Sequence, residues 1–213
     1  MSRTRQTAFA IAVAAVARRD RVMAALMKRT GPFRLPRTGR THFAALAESI
    51  HHQQLAGAAA AAIHARFLAL FDGGRGPVPD AVLSLPPRRL RAVGLSQAKV
   101  ASLRDLAAKV MDGTVPLRGI ARGADEDIIT RLSAVRGIGR WTAEMFLIFQ
   151  LRRLDVWPVG DYGVRLGYAL TYGLRKLPTP ARLQAEGERF RPYRTVAAWY
   201  CWRAVHEHRG QVQ

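Results

Sequence analysis

The sequence predicts an all-α fold, and three observations carry that expectation. Ala and Leu dominate a chain that is 49% apolar, while runs of Val, Ile and Thr are scarce, a balance that favours helices over strands. Aliphatic residues recur along long segments in the amphipathic pattern of helices. Gly and Pro gather into discrete breaks between those segments. At 213 residues the chain can build one generous domain or two small helical lobes, each with a real core. No clear linker divides it, and its two ends can form one lobe while its middle forms the other.

A first helix is predicted over about residues 4–29, stopped by Gly31 and Pro32. Its start has early Arg, an apolar stretch and Ala12-Val13-Ala14, which imitates a short export signal. The pattern nevertheless runs on through Arg18, Arg19, Val22, Leu26 and Met27 as one amphipathic helix, and that reading is preferred. A basic loop over 34–40 leads to a second predicted helix over 41–71, with an Ala-rich centre at 56–62. Gly73, Gly74, Gly76, Pro77 and Pro79 then break the chain. Shorter helices follow at about 80–84, 87–93 and 97–111, the last with Ser96 as its N-cap. Asp112-Gly113 makes a turn, and helices are expected at 125–135, 140–152, 161–172, 179–190 and 193–208. No internal repeat appears, and no segment is long and apolar enough to span a membrane.

Lys and Arg number 34 against 15 Asp and Glu, a formal charge of +19. Such an excess attracts polyanions, and most of it is Arg, whose fork suits phosphate. A generically basic protein, its Arg inflated by GC-rich coding, is the bland alternative. Cys201 is the only cysteine, which excludes a disulfide framework, cysteine-ligated zinc and a four-cysteine iron–sulfur cluster, and fits a reducing, intracellular setting. His51-His52 and His206-Glu207-His208 lack convincing metal-ligand spacing.

The densest signal is Gly137-Ile138-Gly139-Arg140-Trp141-Thr142-Ala143, between two helical segments. Two glycines permit a tight turn and a close backbone approach, and Ile138 can plug the angle between the helices. The amides near Gly139 and Arg140 then open a helix, where unpaired N–H groups favour a phosphate. This string resembles the hairpin of the helix-hairpin-helix DNA glycosylase superfamily, most of all its 3-methyladenine DNA glycosylase II branch. Glu48-Ser49-Ile50-His51-His52-Gln53-Gln54-Leu55 is similar to that family's Gln-Gln-Leu element. Gly94-Leu95-Ser96 with Lys99 resembles its Gly-Leu-Ser element. Pro158-Val159-Gly160-Asp161-Tyr162-Gly163-Val164-Arg165, Phe190-Arg191-Pro192-Tyr193-Arg194 and the stretch 199–203 resemble its catalytic segment and closing helix. Arg136 departs from the Pro that many relatives carry before the first hairpin glycine.

The resemblance implies two helical lobes flanking a DNA-binding cleft, in a single domain over 1–213 without the mixed α/β domain of some relatives. One lobe would join 1–40 to about 160–213; the other, about 41–159, would carry the hairpin at 125–152. It implies Asp161 as the catalytic carboxylate, where simple N-capping is the structural alternative. Tyr162, Trp202, Trp141 and Met145 would line the base pocket, Trp202 having core packing as its alternative, and Trp199 is read as core. Arg136, Gly137, Ile138, Gly139, Arg140 and Thr142 would meet DNA. A helix-start wedge at His51, His52 or Gln53 would fill the gap left by a flipped base. Arg194 would position Asp161 or the nearby backbone. Backbone carbonyls of Ser133, Val135 and Ile138 would hold a structural Na⁺ or K⁺ when DNA is bound, with no iron–sulfur cluster.

Trp141 stands where strand-cutting relatives carry a Schiff-base Lys, so base removal without lyase activity is expected. The expected partner is double-stranded DNA containing alkylated bases such as 3-methyladenine and 7-methylguanine. No membrane is expected, and the protein is expected to be a cytoplasmic monomer, nucleoid-associated if bacterial. Two other readings stay open. One is a non-catalytic hairpin protein that only grips DNA; the other is a glycosylase for deaminated or etheno bases.

Overall fold

The structure, a computed structural model, describes residues 3–36, 38–53, 57–71 and 76–210, and among them all regular structure is helical. The chain divides into two compact units: Met1–Pro36 with Leu147–Gln213, and Arg37–Phe146. The chain therefore returns to the first unit at residue 147 rather than about 160. Segment 147–160 belongs there because Val156 and Trp157 are buried, Trp157 joining Met23, Tyr168, Phe190 and Tyr200 in one core.

In the first unit, α1 (Arg3–Arg19) and α2 (Arg21–Thr30) replace the single helix expected over 4–29. The break is Asp20, whose extended backbone lets its carboxylate accept Met23 N–H at 2.8 Å. A short acidic side chain competes with the helix for local backbone donors, and here it wins. Asp20 also accepts the Tyr172 hydroxyl at 2.9 Å.

Later in the chain, this unit holds α10 (Tyr162–Thr171), α11 (Pro180–Gly187) and α12 (Arg194–His208). Helices α10 and α12 meet backbone to backbone. A Cβ on Gly167 would lie 1.8 Å from the Cys201 carbonyl oxygen, so nothing larger than Gly fits. That approach fixes how the start of α10 faces α12.

In the second unit, the helix expected over 41–71 is two: α3 (His42–His52) and α4 (Gly57–Leu68). Gln53 is extended, and 54–56, including Gln54 and Leu55 of the Gln-Gln-Leu element, lie outside the described residues. The Ala-rich run from residue 57 onward belongs to α4 alone. Local helix propensity alone predicts one continuous helix here, whereas His51 of α3 is set edge-on to Phe67 of α4. The predicted break at Gly73 and Gly74 also lies outside the described residues.

The unit continues with α5 (Pro79–Ser84), α6 (Pro87–Ala92), α7 (Gln97–Met111), α8 (Asp125–Ser133) and α9 (Arg140–Met145). Ser96 caps α7 as expected, accepting Lys99 N–H. A π-helical turn, Phe146–Gln150, extends α9. Leu46, Ile50, Phe67, Leu90, Leu103, Leu106 and Leu132 are fully buried in this unit. Among the described residues, no helix is long and apolar enough to cross a membrane.

Candidate active site and hairpin

The hairpin lies between α8 and α9. Amides of Ala134, Val135 and Ile138 bond back to the carbonyls of Arg131, Leu132 and Val135, while Val135 and Ile138 bury their side chains. Gly137 has φ +77°, and a Cβ there would come within 2.6 Å of Ser102 Oγ on α7, so both conformation and space require glycine. Gly139 is the N-cap of α9, with no side-chain cap and open space before it. The first bond of the helix runs from Ala143 N–H to the Gly139 carbonyl. The amides of Arg140, Trp141 and Thr142 lie ahead of it, at the end where the peptide dipoles favour an anion.

Residues far away in sequence hold this turn. Asp105 Oδ2 accepts the Arg136 amide and Lys109 Nζ, each at 2.7 Å, and Lys109 also donates to the Ala134 carbonyl at 2.8 Å. Burial alone would raise the Asp105 pKa, but the bonds from Lys109 and the Arg136 amide outweigh it and hold the carboxyl below its ordinary range. Gln53 Nε2 donates to the Gly137 carbonyl at 2.8 Å. Asp105, Lys109 and Ser102 were not legible in advance, because each acts through a contact 25 to 35 positions away.

Arg140 shows its amide and its side chain in different roles. The guanidinium pairs with both oxygens of Glu126, at 2.9 and 2.5 Å, and with Glu144 at 3.0 Å. Thr142 is buried, so its side chain does not reach outward; Trp141 is half exposed and Met145 half buried. Arg136 is exposed.

In the first unit, Asp161 is the N-cap of α10. Its Oδ1 accepts the Val164 amide at 2.7 Å and Trp202 Nε1 at 2.9 Å. Asp161 is thus an N-cap, and the cap fixes the carboxylate that the indole then grips. The preceding loop is tight, with Val159 N–H on the Trp157 carbonyl and Asp161 N–H on that of Pro158. Gly163 makes room for the indole: a Cβ there would lie 2.8 Å from Trp202 Cδ1 and 3.1 Å from Asp161 Oδ1. Trp202 is half buried and stacks on Phe149, with centroids 5.8 Å apart and planes at 25°. Phe149, on the π-helical turn, was missed, because the extra residue of such a turn breaks the helical period used to assign faces. Tyr162 is 58% exposed beside Asp161. Trp199 packs on the core edge-on to Phe33 and Tyr200.

One expectation needs correction, and another is narrowed. His51 cannot be a wedge: it sits near the end of α3 rather than at a helix start, and it is wholly buried. Its Nδ1 lies 3.0 Å from His64 Nδ1. Burial, then the neighbouring charges of His64, His52 and Lys99, push its pKa down to about 3. Of the three wedge candidates only His52 is exposed, with Nδ1 on the Glu48 carbonyl, while Gln53 serves the hairpin.

Of the two targets expected for Arg194, the one it reaches is the nearby backbone, at Asp155. Its Nε and Nη2 bond Asp155 Oδ1 and Oδ2 at 2.8 and 3.1 Å, and Nη2 also reaches the Asp155 carbonyl at 2.8 Å. Cys201 is buried, and burial followed by the charge of Asp161 raises its thiol pKa, so it is no nucleophile.

The donor set bears on the expected cation. Among the described residues no group of three His, Cys, Asp or Glu side chains could hold a metal ion. The turn at 133–138 offers carbonyls instead, one of which, on Ala134, already receives the Lys109 ammonium. Carbonyl oxygens are ligands that a hard cation takes, and of the three expected to hold one, that of Val135 also accepts the Ile138 amide at 3.0 Å.

Residues 47–192 match the model of the HhH-GPD superfamily of base excision DNA repair proteins. The chain belongs to this family. It is 37% identical over 181 residues to DNA-3-methyladenine glycosylase 1 of Schizosaccharomyces pombe, covering 84% of this chain and 79% of the relative. Among solved structures, a DNA-3-methyladenine glycosidase of Bacillus halodurans aligns at TM-score 0.85 and 32% identity, over 94% of this chain and 91% of that one. A Schizosaccharomyces pombe 3-methyladenine DNA glycosylase in complex with abasic DNA aligns at TM-score 0.80 and 35% identity, over 90% and 94%.

Proposed function

We propose that this protein is a monofunctional DNA glycosylase that removes alkylated bases, 3-methyladenine and 7-methylguanine among them, from duplex DNA. The observation that carries the reading is the Asp161 carboxylate, fixed at the start of α10 by the Val164 amide and by Trp202. Its relatives are named as 3-methyladenine DNA glycosylases.

Alkylation at N3 of adenine or N7 of guanine leaves the base cationic, so it departs without prior protonation. As the bond from C1′ to the base nitrogen breaks, its electron pair leaves with the base and neutralises it. Positive charge develops on the sugar, and the fixed carboxylate of Asp161 stabilises it. Water then adds to C1′ and gives up a proton, leaving a free base and an abasic site. Trp141 supplies no amine for a Schiff base, so the strand stays intact. The target base must first leave the duplex. Tyr162, beside Asp161, presents an exposed ring on which a cationic base can stack. The amides of residues 139–142 take a phosphate. Carbonyls of Ser133, Val135 and Ile138 would hold a monovalent ion that adds positive charge toward that phosphate. The enzyme acts as a cytoplasmic monomer.

The test is release of free bases from methylated duplex DNA by wild type and Asp161→Asn, alongside binding to duplex with an abasic site. Release by wild type alone, with equal binding by both, supports the reading. Release of hypoxanthine or ethenoadenine but not methylated purines would move the substrate class. Binding without release of any base would leave a protein that only grips DNA.

A further inference from the structure

Asp161 stands at one end of a segment whose other end is also tied to α12. The tie there is made by Thr195, which is fully buried. Its amide donates to the Leu154 carbonyl at 3.0 Å; its hydroxyl donates to the Arg153 carbonyl at 2.8 Å and accepts the Val156 amide at 3.0 Å. Beside it, the Arg194 guanidinium grips both the carboxylate and the carbonyl of Asp155. Arg191 Nη1 adds a bond to Asp155 Oδ2 at 2.9 Å. Four consecutive residues, 153–156, are thus registered against the first turn of α12.

Trp202 lies seven residues beyond Thr195 on the same helix, two turns on and about 10 Å along the same face. The segment leaving Val156 ends at Asp161, which accepts the Trp202 indole at 2.9 Å. Between the two ends Trp157 is buried, with Nε1 on the Leu183 carbonyl. The span from 156 to 161 is therefore held at both ends by one rigid helix. The buried Trp157 and the turns at 157–161 link the two ends, alongside the Gly167–Cys201 approach that holds α10 on α12.

We propose that Thr195, with the Asp155–Arg194 pair beside it, is a positioning device that sets the Asp161 carboxylate against Trp202. It touches neither substrate nor reacting atoms. It acts by fixing the register between the loop that carries the carboxylate and the helix that carries the indole. Its consequence for rate rests on the proposed glycosylase activity; its consequence for the Asp161–Trp202 bond does not.

The experiment compares Thr195→Val, which keeps the shape and loses the hydroxyl, with Thr195→Ser, which keeps the hydroxyl. Three quantities are read at a temperature where every variant is fully folded by circular dichroism. They are the single-turnover rate of base release from methylated duplex, the affinity for abasic-site duplex, and the NMR shift of the Trp202 indole N–H, assigned with Trp202→Phe. The device predicts that Thr195→Val moves the indole resonance toward that of an unbonded indole. It also predicts a rate at least tenfold lower, an abasic-duplex affinity within twofold of wild type, and return of resonance and rate in Thr195→Ser. Asp155→Asn should reproduce the shift in milder form. An indole resonance unmoved in Thr195→Val overturns the device, whatever the rate does. A moved resonance with an undiminished rate overturns its role in the chemistry. If wild type releases no base, the glycosylase reading fails, and the resonance alone still decides whether Thr195 sets the Asp161–Trp202 contact.

Discussion

At the residue scale, Arg140 and Gly163 show how single side chains set what each part of the molecule can do. Arg140 opens α9, yet Glu126 and Glu144 share its guanidinium. The Glu126 pair is exposed on both sides, at 57% and 69%, so it contributes little to stability. It does compete with phosphate for the arginine. Glu126→Gln should therefore bind duplex DNA several-fold tighter at low salt and leave thermal stability almost unchanged. It should also steepen the dependence of log K on log salt by about 0.9, the increment for one more neutralised phosphate. A titration series from low to moderate salt checks this; an unchanged slope would mean that Arg140 stays on Glu144. Gly163→Ala tests the other site. A Cβ 2.8 Å from Trp202 must displace the indole, while Ala gains about 1 kcal/mol over Gly as a helix former. Base release should slow about tenfold in single-turnover assays, roughly 1.4 kcal/mol of barrier. The melting temperature should hold or rise, which separates displacement from unfolding.

At the scale of elements, the junction of α3 and α4 carries a pH dependence. His51 and His64 face each other Nδ1 to Nδ1, an arrangement in which one ring donates and the other accepts. Burial lowers both pKa values first; the charges facing His64 are Glu48, which raises it, and Arg40 and His52, which lower it. A histidine whose folded pKa lies below its unfolded one binds fewer protons when native. Its stabilisation is present above about pH 6.5 and is lost as pH falls toward the folded value of about 3. By pH 5 the loss attributable to His51 is about 2 kcal/mol. Urea unfolding at pH 7.5 and pH 5 should show it, and His51→Phe should flatten the difference. The same junction shows what sequence can and cannot reveal. The α8–α9 hairpin was legible because its turn is specified by seven contiguous residues, 137–143. The break after His52 was not, because the helix propensity of the residues on either side of it favours one continuous helix. Nor was the break at Asp20 foreseen, since the apolar pattern on either side of it stays in phase. Asp155–Arg194 and Gln53–Gly137 join positions 39 and 84 residues apart, beyond any local pattern. The candidate carboxylate was found through its local motif, and the residues that hold it were found only in the folded chain.

At the scale of the whole molecule, the proposed function gives encounter to charge and chemistry to Asp161, and the two can be separated. The sequence carries 34 cationic side chains against 15 acidic ones, so even complete internal pairing leaves a formal charge of +19. Glu126, Glu144, Asp105, Asp155, Glu188 and Glu207 are among the carboxylates already paired with Lys or Arg. Most of the remaining cationic charge must then be balanced by counterions, or by phosphates when DNA is bound. Binding to undamaged duplex should weaken linearly in log K against log salt. If about six phosphates are neutralised, affinity should fall about a thousandfold between 50 and 200 mM salt. Asp161→Asn removes one negative charge from a molecule that already has this excess, and it leaves every cation in place. Its salt slope should therefore match wild type within the error of a titration, although it releases no base. A slope changed by a full phosphate would show that Asp161 contributes to the grip itself, and would take the carboxylate out of a purely chemical role.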